Sequence, residues 1–159
     1  MIDMRHFSYN SNINIFQQEA KWSNIEITTI RNVIKVINLR KSGLSIKLAN
    51  DKLMRKINLK WKGINKTTNV LSFPNITKKF YDDNKVKYLG DIILSYETLK
   101  KETKMKNLSL QKHLSHILIH GILHLKGYTH ENVNDTKLMQ NEEVRILKNL
   151  NIKNPYKIK

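Results

Sequence analysis

The stretch HGILHLKGYTH, residues 120–130, constrains this chain more than any other. His120 and His124 are four residues apart, His130 follows six later, and Gly127 stands between the last two. In a helix, residues four apart differ by only about 40° in direction, so His120 and His124 face the same way, one turn apart. Gly127 stops the helix and lets the chain turn through backbone angles that other residues avoid, which can bring His130 back to that face. The sequence leading in, SLQKHLSHILIHGILHLK, supplies the helix itself, with Ser109 as N-cap candidate and an apolar body.

Three imidazoles suit zinc and its transition-metal neighbours, and three protein ligands leave a fourth position open, where such a cation can activate water. A structural zinc site normally closes with four ligands, usually including cysteine, and this chain has none. Lone histidines in apolar surroundings are most often packing residues, and His6 and His113 are read that way. His116, one turn before His120, either orients a ligand or faces a substrate, or simply fills space beside the site.

The spacing matches the metzincin proteases, H-E-x-x-H-x-x-G-x-x-H, but where those enzymes carry a glutamate this chain has Gly121. Peptide hydrolysis at one zinc needs that carboxylate to move a proton from the attacking water to the leaving nitrogen. Phosphodiester cleavage makes a different demand: cations placed around the phosphorus oxygens. RNA also brings its own nucleophile, the 2′-hydroxyl.

The cations are abundant. Lysine and arginine number 29 against 13 acidic residues, a formal charge of +16 over 159 residues, which points to a polyanionic partner, the alternative being a bias toward lysine and asparagine that spreads charge over a solvated surface. Lys52, Arg55, Lys56, Lys60, Lys62 and Lys66 form a run without an acidic residue, with Trp61 among them. The run serves either as a phosphate contact or as a solvated helix face. Trp61 is expected in the core, the alternative being an aromatic platform for an unstacked base. No apolar run reaches signal-peptide or bilayer length, so a soluble cytoplasmic protein without membrane contact is expected.

The length suits one domain, spanning 1–159. NINIF alternates as a first strand, IEITTIRNVIKVINL places Ile27, Ile30, Ile34 and Ile37 at helical spacing, and LSIKLAN puts Leu44, Ile46 and Leu48 on one strand face. DKLMRKINLKWKG is expected to be a short helix capped by Asp51, with Leu53, Ile57 and Leu59 on one side and its end near Gly63. NVLSFP and KYLGDIILSY read as strands, and NITKKFYDDNKV between them as a solvated loop. Helix is expected from Leu99 onward, with a last helix over 135–150 burying Leu138, Val144 and Leu147.

HGILHLKGYTH resembles the H-G-x-L-H-L-x-G-Y-D-H signature of the YbeY-type rRNA maturation factors, which are metal-dependent endoribonucleases. NDKLMRKINLKWKG, TNVLSFP, LGDIILS, the pair Glu142 and Glu143, and the terminal NPY agree in order and spacing, so the likeness covers roughly residues 44–156. It implies an α+β, zincin-like fold, a small mixed four-stranded sheet with the metal-bearing helix packed across it. It implies zinc, one ion per chain, on His120, His124 and His130, and matches His116 to another histidine common in the family. Lys62 falls where the family has an arginine proposed to act on the scissile phosphate; lysine keeps the charge without the planar fork. Thr129 and Asn65 replace two further common aspartates. The partners implied are ribosomal RNA, the small ribosomal subunit near its RNA 3′ end, and proteins there. Two other functions are weighed against RNA cleavage, a metallopeptidase and an assembly protein that binds RNA without cutting it.

Overall fold

A computed structural model describes residues 4–10, 12–39, 41–76 and 86–157. Two strands open it, β1 (Arg5–Asn10) and β2 (Ile13–Gln17), followed by α1 (Asn24–Ile37), β3 (Ser42–Ala49) and α2 (Asp51–Lys62). Then come β4 (Val70–Pro74), β5 (Lys87–Ser95), α3 (Tyr96–Lys106), α4 (Leu110–Leu125) and α5 (Val133–Asn149). The strands form one mixed sheet in the order β1-β2-β3-β5-β4, parallel across β2-β3-β5 and antiparallel at both margins.

The expected α+β class holds, but the described residues contain five strands, not four. The additional one is β1, RHFSYN, in which every side chain is exposed except a half-buried Phe7. Such an edge strand is held by its ladder to β2, and its alternation is confined to Phe7 and Tyr9, too short to announce it.

The sheet has a thick side and a thin side. On the thick side, Leu44, Ile46 and Leu48 of β3 join Ile92 and Leu94 of β5 against α1, α4 and α5. Ile27, Ile30, Ile34 and Ile37 all turn into this core, as their spacing requires. On the thin side, α2 alone covers Ala49, Leu71 and Ile93, chiefly through Met54. Asn50, not Asp51, caps α2 by accepting from the Leu53 amide at 2.9 Å. The Asp51 side chain instead accepts from the hydroxyls of Ser95, Thr98 and Thr67, locking the helix start to β5 and α3. Gly63 ends α2 as expected.

Several burial expectations are corrected. Leu59 is exposed while Met54 and Asn58 turn inward, because α2 touches the sheet along a narrow stripe. Leu138 of α5 is also exposed and Val144 half-buried, whereas Leu147 is buried as expected, with Met139 and Ile146 beside it. Trp61, expected in the core, is 66% exposed. His6 is exposed too, stacked on Phe16 at 4.8 Å, whereas His113 is buried as expected. The loop expectation for NITKKFYDDNKV falls mostly on residues 77–85, outside the described residues.

Candidate metal centre

Helix α4 is buried nearly all round. Of its residues from His113 onward, His116, His120 and His124 are the ones that reach partial exposure, forming one stripe at four-residue intervals. Ser109 caps its start through the Lys112 amide, 3.2 Å away. At its end Gly127, at φ +100°, lets the Tyr128 amide bond the Leu123 carbonyl and its own amide bond the His124 carbonyl. That pair of bonds is a Schellman turn, and it directs the chain back toward the helix. Thr129 then ties the returning loop to α5, donating to Asp135 at 3.2 Å, and His130 follows it.

The outcome is a cluster in which the ligand atoms of His120, His124 and His130 all lie within 4.8 Å of one another. The Nε2 atoms of His120 and His124 are 3.0 Å apart, and the His130 ring lies 4.8 Å from that of His124. His120 Nδ1 is 2.5 Å from Glu143 Oε1, and His124 Nδ1 is 2.9 Å from the Tyr128 carbonyl oxygen. A carboxylate and a carbonyl can only accept, so both Nδ1 atoms carry the proton, and in neutral rings both Nε2 atoms present lone pairs. Burial, reinforced by the charge of neighbouring His120, pushes the His124 pKa down and favours its neutral form. Two such lone pairs facing at 3.0 Å call for a cation between them, either a proton shared in an N–H···N bond or a metal ion. Tetrahedral zinc holds its nitrogens roughly 3.3 Å apart, so the donor set fits a metal ion.

Glu143 is the hub behind these ligands. It is fully buried, accepting from His120 through one oxygen and from the Tyr156 hydroxyl through the other, with His116 Nε2 3.3 Å away. Burial alone would push its carboxyl up, but hydrogen bonds from His116, His120 and Tyr156 more than offset that and hold it at about 2. His116 is thus joined to His120 through a shared carboxylate, and its ring meets Tyr156 edge-on at 5.5 Å. It does not reach the three-histidine cluster itself. Neither Glu143 nor Tyr156 stands in a motif that announces this role. The available signal was Glu143's place on the buried stripe of α5, between Met139 and Leu147, where a carboxylate must find donors.

Gly121 sits at the contact of α4 with β4. A Cβ there would lie 3.1 Å from Ser72 Oγ and 3.3 Å from Val70 Cγ2, and Ser72 Oγ donates to the Gly121 carbonyl at 3.2 Å. The position that carries the base in metzincins is here a close helix-to-strand approach without space for a carboxylate. Lys62 lies on the other face of the same strand: it ends α2, with Nζ 6.0 Å from the ring of Phe73, the neighbour of Ser72. Asn65 accepts from Arg55 at 2.8 Å and helps fix this corner of α2.

A helix-borne histidine pair closed by a third histidine from a glycine turn, on a mixed α+β sheet, defines a small α+β protein with a candidate three-histidine metal site. The family model described as Endoribonuclease YbeY matches residues 8–151. Relatives of that name include one from Ehrlichia chaffeensis, 39% identical over 153 residues, covering 91% of this chain and 95% of its own. One from Bartonella henselae is 41% identical over 143 residues, covering 89% and 90%. One from Buchnera aphidicola is 43% identical over 111 residues, 70% of each chain. A solution structure of a Thermotoga maritima protein superposes with a TM-score of 0.61 at 21% identity, over 92% of this chain and 99% of that one, and shares the fold. The chain belongs to the endoribonuclease YbeY family.

Proposed function

We propose that this protein is a zinc-dependent endoribonuclease that cuts unpaired ribosomal RNA, acting near the 3′ end of the small-subunit RNA (16S rRNA) in its maturation and quality control. The observation that carries the reading is the pair of inward-facing Nε2 lone pairs on His120 and His124, whose Nδ1 protons are fixed by Glu143 and the Tyr128 carbonyl. His120, His124 and His130 would hold the metal, which when bound supplies Lewis-acid polarisation at the scissile phosphate. Glu143 and Tyr128 keep the ligand rings in one tautomer and one orientation. Lys62 is assigned to the negative charge that develops on the phosphorus oxygens, and His116 to the substrate side of the site, its ring set by Glu143 and Tyr156.

The +16 charge supports a polyanionic substrate, and family membership supports RNA. The ribosomal RNA and the proteins around its 3′ end are carried over from the family. Among the described residues no helix is long and apolar enough to cross a membrane, in keeping with work on ribosomes in the cytoplasm. A peptidase is disfavoured because Gly121 offers no base and Glu143 is fully engaged behind the ligands.

The test is a cleavage assay on structured RNA and on casein, with and without chelator. RNA cleavage that stops with chelator, and intact casein, are expected. Intact RNA under every metal condition would favour an assembly protein that binds without cutting. End analysis adds the mechanism: attack by the 2′-hydroxyl leaves a 2′,3′-cyclic phosphate, whereas attack by water does not.

A further inference from the structure

The thin side of the sheet is only partly covered by α2. Beyond the helix lies a groove of about 480 Å³, lined among others by Phe16, Ser45, Lys47, Trp61, Phe73 and Asp91. Strand register builds its floor. Phe16 is paired with Lys47, Ser45 with Asp91 and Asp91 with Phe73, so these side chains stand in two adjacent rows on one face. Beside them β4 and β5 approach closely at Gly90, where a Cβ would lie 2.1 Å from the Phe73 carbonyl oxygen.

Three features define what fits. The first is aromatic surface: Trp61 is 66% exposed and stands edge-on to Phe73, ring centroids 6.4 Å apart. The second is a cationic rim, with Lys60 Nζ 5.3 Å from the Trp61 ring and Lys62 Nζ 6.0 Å from that of Phe73. The third is an acceptor in the floor: Asp91, bonded to the Tyr88 hydroxyl, which itself lies 2.9 Å from Ser45 Oγ. A phosphate or an acidic peptide would suit the rim and Lys47 but be repelled by Asp91. A purely apolar segment would suit the rings and leave both charges unused. A nucleotide satisfies all three, with a flat neutral base for the rings, base N–H donors for Asp91, and flanking phosphates for Lys60 and Lys62.

We propose that this groove is a subsite for one unpaired nucleotide of the RNA substrate, its base stacked on Trp61 and its edge read by Asp91. The inference rests on the endoribonuclease reading and adds to it where the substrate is gripped. A paired base has its edge occupied and both faces stacked, so the subsite selects single strands. Its place is consistent with catalysis at the histidines. β4 is an edge strand with α4 on one face and the groove on the other, so an RNA strand crossing that edge would run from the groove to the helix that carries the histidines.

Fluorescence tests this directly, because the chain has two tryptophans and the other, Trp22, is buried with its indole N–H bonded to the Ala49 carbonyl. Metal-loaded full-length protein is titrated with a 2′-O-methyl single-stranded oligoribonucleotide, the corresponding duplex, and inorganic polyphosphate. Saturable quenching by the single strand alone is expected, abolished in Trp61→Phe. Trp61→Ala should weaken single-strand binding about ten-fold or more and leave polyphosphate binding unchanged. Asp91→Asn should change which base composition binds tightest. Equal quenching by polyphosphate, or unchanged single-strand affinity in Trp61→Ala, would overturn the subsite and leave the groove to a protein segment. The nuclease reading is judged separately by cleavage of unmodified RNA: a parent protein that cuts RNA but shows no single-strand quenching refutes the subsite alone.

Discussion

Replacing Glu143 by glutamine keeps the shape of the side chain and removes its charge. A carboxyl held at about 2 in the fold and at 4.5 outside it implies roughly 3 kcal/mol of preferential interaction with the charged form. A count of bonds leads to the same figure: contacts to His120, His116 and Tyr156 each lose their charge assistance, about 1 kcal/mol apiece, and the glutamine NH2, which only donates, must face His116 and Tyr156 as acceptors. The lower cost of burying an amide returns part of this, so Glu143→Gln should lose about 2 to 3 kcal/mol at pH 7 in urea unfolding of metal-free protein. The pH dependence has a definite sign. Because the folded carboxyl lies below its unfolded value, its contribution is complete above pH 4.5 and is lost as pH falls toward 2. The gap between parent and variant should therefore close across that window. Metal affinity should also fall by about 10- to 100-fold, since His120 loses the carboxylate that orients it. A variant within about 0.5 kcal/mol of the parent at pH 7, or a gap that persists unchanged to the acid limit, would refute the role given to Glu143.

If Lys62 acts on the developing phosphate charge, Lys62→Ala should lower single-turnover cleavage strongly and RNA affinity little, while Lys62→Arg keeps or raises activity. Equal behaviour of Lys60→Ala, Lys62→Ala and Lys66→Ala, each with near-normal turnover, would reduce Lys62 to one cation among many. Gly121→Ala should destabilise by about 1 kcal/mol in thermal or urea unfolding, because overpacking against Ser72 and Val70 costs about 1 to 3 kcal/mol and the better helix propensity of alanine returns about 1. Gly121→Glu should fold poorly and leave casein uncut; a well-folded variant that cleaves casein would contradict the steric account of the missing base.

What was legible in the sequence follows from how local its cause is. Helix α4, its Ser109 cap and the turn at Gly127 depend on a single contiguous stretch, and the three histidines came together as their spacing required. The isoleucines of α1 and the alternating leucines of β3 were equally readable, because burial on one side leaves a periodic trace. β1 left only Phe7 and Tyr9, since its strand state comes from pairing with β2. Trp61 and Leu59 were misplaced because α2 has so little sheet beneath it, which no property of α2 itself reveals. Glu143 and Tyr156 reach the site from 23 and 40 residues beyond the histidines they touch, a convergence that only the packed α4–α5 pair and the returning tail create.

The central claim is that three histidines hold one metal ion on which RNA cleavage depends. Zinc titrated into chelator-stripped protein, with cleavage of a single-stranded ribosomal RNA fragment followed at each addition, tests it most directly. Activity should rise in proportion to zinc and level off at about one ion per chain, with no recovery in a folded His124→Ala variant. Full cleavage by the stripped protein, or zinc-restored cleavage in His124→Ala, would contradict it.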